Sequence, residues 1–343
     1  MRDLVLNNKR PISPYIFVIL IHYQLFHIMP SIKQVVARPA AVANTKLINW
    51  HPGHMFSGMQ AMIGKLNTTD AVVEVHDARI PFIGRNKEFR QHLGLIRPRI
   101  LVLNKTDLAD LSHWHQVRQK LADKGDTEVL LTDLSGTQFG HRTRGYDTLI
   151  ERIMRLIERS DRHNRYTANH FKIMIVGIPN VGKSTLINRL RQHHLGRGGE
   201  PAAVGAIAGV TRQVENKIKI CARPLIYSLD TPGVLQPSQT KDKNQAMRLA
   251  LCSNINDKVI PVEPVAAYLL GYLNKTGNLS YMEDFLLTKP ANSLNDLYKC
   301  AMEKPEFRQE NIVSKTYQPN IDRICWTFIK NFRLGNYGKV MFL

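Results

Sequence analysis

The chain has 343 residues, 43% of them hydrophobic and 22% charged, enough to bury an α/β domain of roughly 150 to 200 residues with a smaller one beside it, and too apolar for a largely disordered polymer. Lysine and arginine total 47 against 28 acids, a formal charge of +19, which favours a polyanionic partner such as RNA or an anionic membrane surface. The four cysteines, Cys221, Cys252, Cys300 and Cys325, form no CxxC pair, which argues against a structural zinc site and a disulfide framework and for a reducing compartment.

Residues 1–46 carry Arg2, Lys9, Arg10, Lys33, Arg38 and Lys46 against Asp3 alone, an imbalance that resembles an organellar transit segment. Within it "YIFVILIHYQLFHIM", residues 15–29, is apolar but too short to span a bilayer and is interrupted by His22 and His27. A secretory signal with "AVA" as its cleavage site would look similar, but the nucleotide motifs that follow favour an organelle or the cytosol.

Strand-like apolar runs follow at 71–75, 99–103, 128–132, 171–176 and 224–229. Helical periods separate several of them: "YDTLIERIMRLIERS" places Leu149, Ile153, Leu156 and Ile157 on one face, with Arg152, Arg155 and Arg159 toward solvent. This alternation predicts an α/β fold, a mostly parallel sheet covered on both sides. The Gly/Ala-rich stretch 196–210 reads as a mobile loop. Beyond about residue 240 the strand signals fade, and "AMRLAL", "PVAAYLLGYL" and "DRICWTFIKNF" predict a small helical C-terminal domain. The expected division is thus a basic segment 1–46, an α/β domain 47–240 and a helical domain 241–343.

"GIPNVGKS", beginning at Gly177, is G-x-x-x-x-G-K-S between a buried strand and the helix "STLINRL". A chance Gly-rich turn would rarely have that context. The loop from Asn180, Val181 and Gly182 into Lys183, Ser184 and Thr185 is expected to cradle phosphates with backbone amides and a helix N-terminus. Lys183 would reach the β- and γ-phosphates, and the Ser184 hydroxyl would ligate Mg²⁺. "DTPG" at 230–233 follows another strand, so Asp230 is placed to hold Mg²⁺ through water and the Gly233 amide to face the γ-phosphate. Thr211 is expected to close on Mg²⁺ and the γ-phosphate; it also fits a plain strand-start threonine.

"NKTD" supplies the base site. Asp107 can accept hydrogen bonds from guanine N1–H and its exocyclic amine, which adenine cannot offer. Asn104 supports the base edge and the Lys105 stem covers the ring face. The companion loop falls at "LLTDLSG", with Thr132 and Asp133 near the base. Base elements at 104 and 133 therefore precede phosphate elements at 177, 211 and 230, one complete GTPase set in the order 4-5-1-2-3, a circular permutation.

"WHPGHM", "VVEVHDARIPFIGRN", "LVLNKTDLAD", "VGIPNVGKSTLINRL" and "LDTPGVL" resemble the circularly permuted phosphate-loop GTPases of the bacterial YlqF or RbgA family, and in particular its mitochondrial branch. The likeness runs from about Trp50 to the C-terminus, including "LALC" and "FRLGNYGKVM". It implies a mitochondrial, or alternatively cytoplasmic, GTP hydrolase that binds GTP and GDP and assists late maturation of the large ribosomal subunit. The helical C-terminal domain would then contact rRNA. Val234 stands where Ras-like proteins place the water-orienting glutamine, and the resemblance implies that His54 positions the water instead; a packing histidine fits equally. Asn180 resembles the asparagine that ligates K⁺ in potassium-stimulated relatives, or is an ordinary loop residue. Ala208 replaces a family proline before Thr211. The expected cofactors are Mg²⁺ and K⁺. A non-hydrolysing rRNA scaffold and a regulatory GTPase peripheral to the inner membrane remain as alternatives, and no obligate homo-oligomer is expected.

Overall fold

Apolar runs long enough for one buried strand each, separated by amphipathic helices, assemble into a covered sheet. The computed structural model describes residues 64–85, 97–135, 145–160, 167–196, 217–229, 242–311 and 315–343. The basic segment 1–46, "WHPGHM" with His54, the loop holding Ala208 and Thr211, and the "DTPG" stretch with Asp230, Gly233 and Val234 lie outside the described residues.

Strands β1 (Ala71–Asp77), β2 (Arg99–Asn104), β3 (Val129–Leu131), β4 (Phe171–Val176), β5 (Lys217–Cys221) and β6 (Ile226–Leu229) form one sheet in the order β3-β2-β1-β4-β6-β5. All pairs are parallel except β5 with β6. The chain runs outward from β1 through β2 to β3, then returns to lay β4 on the other side of β1. That return makes the β1/β4 boundary the switch point of the sheet, where ligands of α/β folds sit beyond the carboxyl ends of the strands.

β1 is buried along its whole length, as a central parallel strand must be. Helix α1 (Trp114–Asp123) packs Val117 and Leu121 against Leu101 and Leu103 on one face of β2. On the other face α2 (Leu149–Glu158) buries Leu149, Ile150, Ile153 and Ile157; Ile150 occupies the place expected of Leu156, which is only half-buried. Helix α3 (Lys183–Leu195) adds Leu186, Ile187 and Leu190 to that core. β5 escaped sequence reading because it is an edge strand: Lys217 and Lys219 are exposed and only its end is buried, a pattern that also protects the edge from pairing.

The C-terminal third contains α4 (Lys243–Leu251), α5 (Val262–Thr276), the short α6 (Tyr281–Asp284), α7 (Leu294–Ala301) and α8 (Ile321–Leu334). It also contains a hairpin, β7 (Arg308–Asn311) with β8 (Thr316–Pro319), which the expectation of an all-helical segment omitted because its strands are short, polar and solvated. Asp242, Ser293 and Asn320 cap α4, α7 and α8 by accepting backbone N–H bonds, so the polar residue before each helix sets where it starts. Tyr281, Phe285, Phe328 and Tyr337 form an aromatic centre continuous with the core under the sheet.

The final residues run back to the sheet. Val340 N–H donates to Leu108 O at 3.1 Å, Asp110 N–H to Val340 O at 3.2 Å and Phe342 N–H to Arg79 O at 2.7 Å, so the chain end backs the loops that leave β1 and β2. No helix among the described residues is long and apolar enough to cross a membrane.

Candidate functional site

The loops that follow β2, β3 and β4 converge at the carboxyl edge of the sheet. After β4 the chain turns through Asn180, whose φ is 58°, and Gly182, whose φ is 104°, into α3. A side chain at Gly182 would overlap the Asn104 amide, so glycine is required there for both conformation and space. Gly182 makes no side-chain cap on α3. The first turn of α3, from Lys183 through Thr185, thus presents a helix N-terminus whose dipole favours an anion. Lys183 is nearly buried, and its ammonium donates to Ile178 O at 3.1 Å.

Asn104, 4% exposed, joins the base loops to the phosphate loop. Its Nδ2 donates to Val181 O at 2.8 Å, while its Oδ1 accepts from the Thr132 hydroxyl at 3.3 Å and from Leu134 N–H at 3.2 Å. Thr132 O in turn accepts from Thr106 N–H at 3.2 Å and from the Thr106 hydroxyl at 3.0 Å. Three motifs far apart in sequence are thereby fixed to one another through a single carboxamide.

Asp107 Oδ1 is buried and has no hydrogen-bond partner among the described residues. Burial, and then the Asp133 charge, raise its pKa. A buried acceptor without a partner calls for a donor of the kind guanine N1–H and its exocyclic amine provide, so the residues present fit a guanine base. Asp133 uses its carboxylate to fold its own loop, accepting from Ser135 N–H at 2.9 Å and Ser135 Oγ at 2.6 Å. Lys105, at a left-handed φ of 63°, places its ammonium 3.0 Å from Asp77 Oδ2, an anchor that was not legible in the sequence.

Sequence reasoning missed the wall behind these loops. Asp77, fully buried at the end of β1, takes Arg79 in a two-pronged ion pair, 3.0 Å from Nε and 2.8 Å from Nη2. Burial alone would raise the Asp77 pKa, but Arg79 and then Lys105 outweigh it and hold the carboxyl well below its usual range. Arg79 also donates to Cys252 O at 3.3 Å, in the turn after α4. The next residues of that turn grip the phosphate loop itself: Asn180 Nδ2 donates to Ser253 O at 2.8 Å, and Asn254 Nδ2 to Pro179 O at 2.7 Å. The signal was present in "LALCSN", yet nothing local in those residues shows what they touch.

Together these loops place a candidate phosphate cradle at the start of α3 beside a candidate guanine pocket at Asp107, with Asn104 bonded to both loops. Of the residues expected to hold Mg²⁺, Ser184, on the first turn of α3, lies among the described residues.

The fold and this site define a circularly permuted phosphate-loop GTPase. Residues 172–278 match the family model described as 50S ribosome-binding GTPase. YlqF from T. maritima in its GNP-bound form shares the fold at a TM-score of 0.51 and 20% identity, over 82% of this chain and 96% of that one. Among curated proteins, mitochondrial ribosome-associated GTPase 1 of Mus musculus is 39% identical over 85% of this chain and 89% of its own length. Mitochondrial GTPase 1 of Aedes aegypti is 41% identical over 87% and 94%, and Short integuments 2, mitochondrial, of Arabidopsis thaliana 32% over 76% and 68%. The chain belongs to this mitochondrial GTPase 1 family: it is a GTP hydrolase, and it is mitochondrial.

Proposed function

We propose that this GTPase is an assembly factor for the mitochondrial large ribosomal subunit, binding rRNA and leaving after GTP hydrolysis. The orphaned Asp107 oxygen, set beside a phosphate loop that Asn104 holds in register, carries the guanine-nucleotide part of this reading. The charge of +19 and the names of its relatives support the ribosomal part. Residues 1–46 serve as the targeting segment, 47–240 as the GTPase domain and 241–343 as the ribosome-facing domain.

In the reaction, Asp107 selects guanine, Asn104 holds the base loop against the phosphate loop, and Lys183 leaves Ile178 O for the β- and γ-phosphates. Mg²⁺, held by Ser184, Thr211 and Asp230, would neutralise charge on the phosphate oxygens. The Gly233 amide contacts the γ-phosphate, and His54 orients the attacking water in place of the glutamine that Val234 replaces. A K⁺ ion would use the carbonyl end of the Asn180 amide, whose nitrogen is already turned to Ser253 O.

GTP turnover by the full chain, with and without mitochondrial large subunits, tests the proposal. Stimulation by large subunits and not by small ones is the expected result. Equal turnover in all three conditions would overturn the assembly role.

A further inference from the structure

Helix α8 turns one charged face outward from the aromatic centre. Arg323, Trp326, Thr327, Lys330 and Arg333 recur at the three- and four-residue spacing that stacks side chains along one side of a helix. With Asp257 they line an open cleft of about 500 Å³. Arg323 and Lys330 are exposed, and no carboxylate pairs with either among the described residues. Trp326 is half-buried against the core, so its ring is held in place instead of swinging freely. The cleft's single acid is committed: Arg333 Nη2 lies 2.6 Å from Asp257 Oδ1 and Nη1 2.9 Å from Oδ2. Two unpaired cations flanking a fixed indole match a polyanion that carries flat rings, namely single-stranded RNA. A lipid headgroup offers the charge without the ring.

Arg333 does more than line the cleft. Its guanidinium stands 5.7 Å from the Trp326 ring centre and donates to Ala250 O at 2.8 Å and Leu251 O at 3.2 Å. Those carbonyls end α4, one residue before the turn in which Cys252 O receives Arg79, Ser253 O receives Asn180 and Asn254 donates to Pro179. A single side chain therefore stands between the cleft and the turn that holds the phosphate loop.

We propose that the α8 cleft is a site for an unpaired RNA segment, with a base stacked on Trp326 and backbone phosphates at Arg323 and Lys330, and that Arg333 links its occupancy to nucleotide release. The partner class rests on the RNA reading under Proposed function; the site and the link are new. A phosphate entering the cleft competes with Asp257 for Arg333, draws the guanidinium off the α4 carbonyls and loosens the turn behind the phosphate loop.

The test uses the full chain and a fluorescent single-stranded RNA oligonucleotide, read by anisotropy over a range of salt, with melting temperatures confirming that each variant folds. Combined Arg323→Glu and Lys330→Glu should weaken binding and make the log–log salt slope shallower by roughly 1.4, for two lost single-strand phosphate contacts. Trp326→Ala should weaken it about 10-fold, and Trp326→Phe, which keeps both packing and stacking, much less. RNA should accelerate release of labelled GDP from the wild type by about fivefold or more. Arg333→Lys keeps the charge but not the fork that holds both α4 carbonyls; its GDP should leave faster even without RNA, and RNA should accelerate that release little further. RNA binding unchanged by the charge reversals places the site elsewhere and overturns the proposal while leaving the function intact. A wild-type chain that binds neither RNA nor large subunits overturns the function itself. Preference for phosphatidylserine-containing vesicles, lost on charge reversal, makes the cleft a membrane contact instead. GDP release indifferent to RNA removes the link.

Discussion

The Asn104 carboxamide occupies the space that a side chain on Gly182 would need, so the guanine loop and the phosphate loop are built around one another. Gly182→Ala must shift Asn104 and also adopt a left-handed backbone, at a cost of about 1–3 kcal/mol. Asn104→Ala relieves the crowding but leaves Val181 O and Leu134 N–H without their partner, at about 1–3 kcal/mol for the buried groups. Both variants should lose GTP affinity. The combination should cost less than the sum of the two single changes, because the clash exists only while both side chains are present. Isothermal titration and denaturant melts on the three variants read this directly; strict additivity would show that the two loops are independent.

Asp107 should make nucleotide binding depend on pH. Burial and then the Asp133 charge raise its pKa, so in the nucleotide-free protein the charged form is penalised above its folded pKa, and acidification relieves the penalty. Guanine needs the carboxylate. Affinity should therefore begin to fall at a higher pH than an ordinary aspartate would give, with a proton released on binding in that range. Asp133→Asn removes the larger of the two neighbouring charges that raise it, Asp133 and Asp77, and should move the fall to lower pH. Binding measured in buffers of different ionisation enthalpy detects the proton; a pH profile identical in wild type and Asp133→Asn would show that the two carboxylates do not interact.

Replacing Asp107 itself separates specificity from affinity. Asp107→Asn exchanges an acceptor pair for an acceptor and a donor, so GTP binding should weaken by about 2–4 kcal/mol and xanthosine triphosphate should be preferred. Displacement titrations with the two nucleotides give the ratio. Unchanged GTP affinity would remove Asp107 from the base site.

The fold and the permuted order of its motifs were legible from residue types at fixed spacings. "GIPNVGKS" and "NKTD" each follow a buried strand, and the chemistry of phosphate and guanine dictates their residues, so their order along the chain exposed the permutation. The contacts between motifs were not legible. Asn104 and Val181 stand 77 positions apart, and Asn254 reaches Pro179 across 75; such pairs are set by how the return from β3 to β4 and the C-terminal helices pack. The edge strand β5 and the hairpin β7–β8 lacked a buried period, the one local signal that marks a strand. Asp77 and Arg79 were visible in "VHDARIP", but their pairing under the guanine loop depends on Cys252 and Lys105 coming together around them.

That ion pair and the one at Glu74 should set acid sensitivity. At Glu74 burial disfavours the charge, but Arg85 and then Arg99 outweigh it and hold the pKa at about 2, against an ordinary 4.5; Asp77 is lowered likewise by Arg79 and Lys105. Groups with depressed folded pKa values stabilise the protein fully above the ordinary value and lose that contribution as pH falls toward the folded one. Stability should hold at neutral pH and drop between about 4.5 and about 2. Asp77→Asn strands Arg79 and should cost about 3–5 kcal/mol even at neutral pH, while making the remaining acid transition shallower. Chemical denaturation at a series of pH values checks both parts; a neutral substitution would show that Arg79 finds another anion.

The turn after α4 makes the most discriminating prediction, because stability and nucleotide retention should respond to it differently. Asn254 is fully buried, and its Nδ2 holds Pro179 O, but its Oδ1 has no partner among the described residues. Asn254→Ala deletes a favourable bond and an unsatisfied acceptor at once, and the two terms oppose each other, each of about 1–3 kcal/mol. Folding stability should consequently change by less than about 1 kcal/mol. Of the two side-chain ties from this turn to the phosphate loop among the described residues, the Asn180 bond to Ser253 then remains, so labelled GDP should leave roughly fivefold faster, a change of about 1 kcal/mol in the bound state. Asn180→Ala cuts the other tie, and the double variant should release GDP faster than either. A large loss of stability with unchanged GDP release would make Asn254 a core residue without influence on the loop, and a release rate unaffected even in the double variant would mean that the phosphate loop holds its shape without the C-terminal helices.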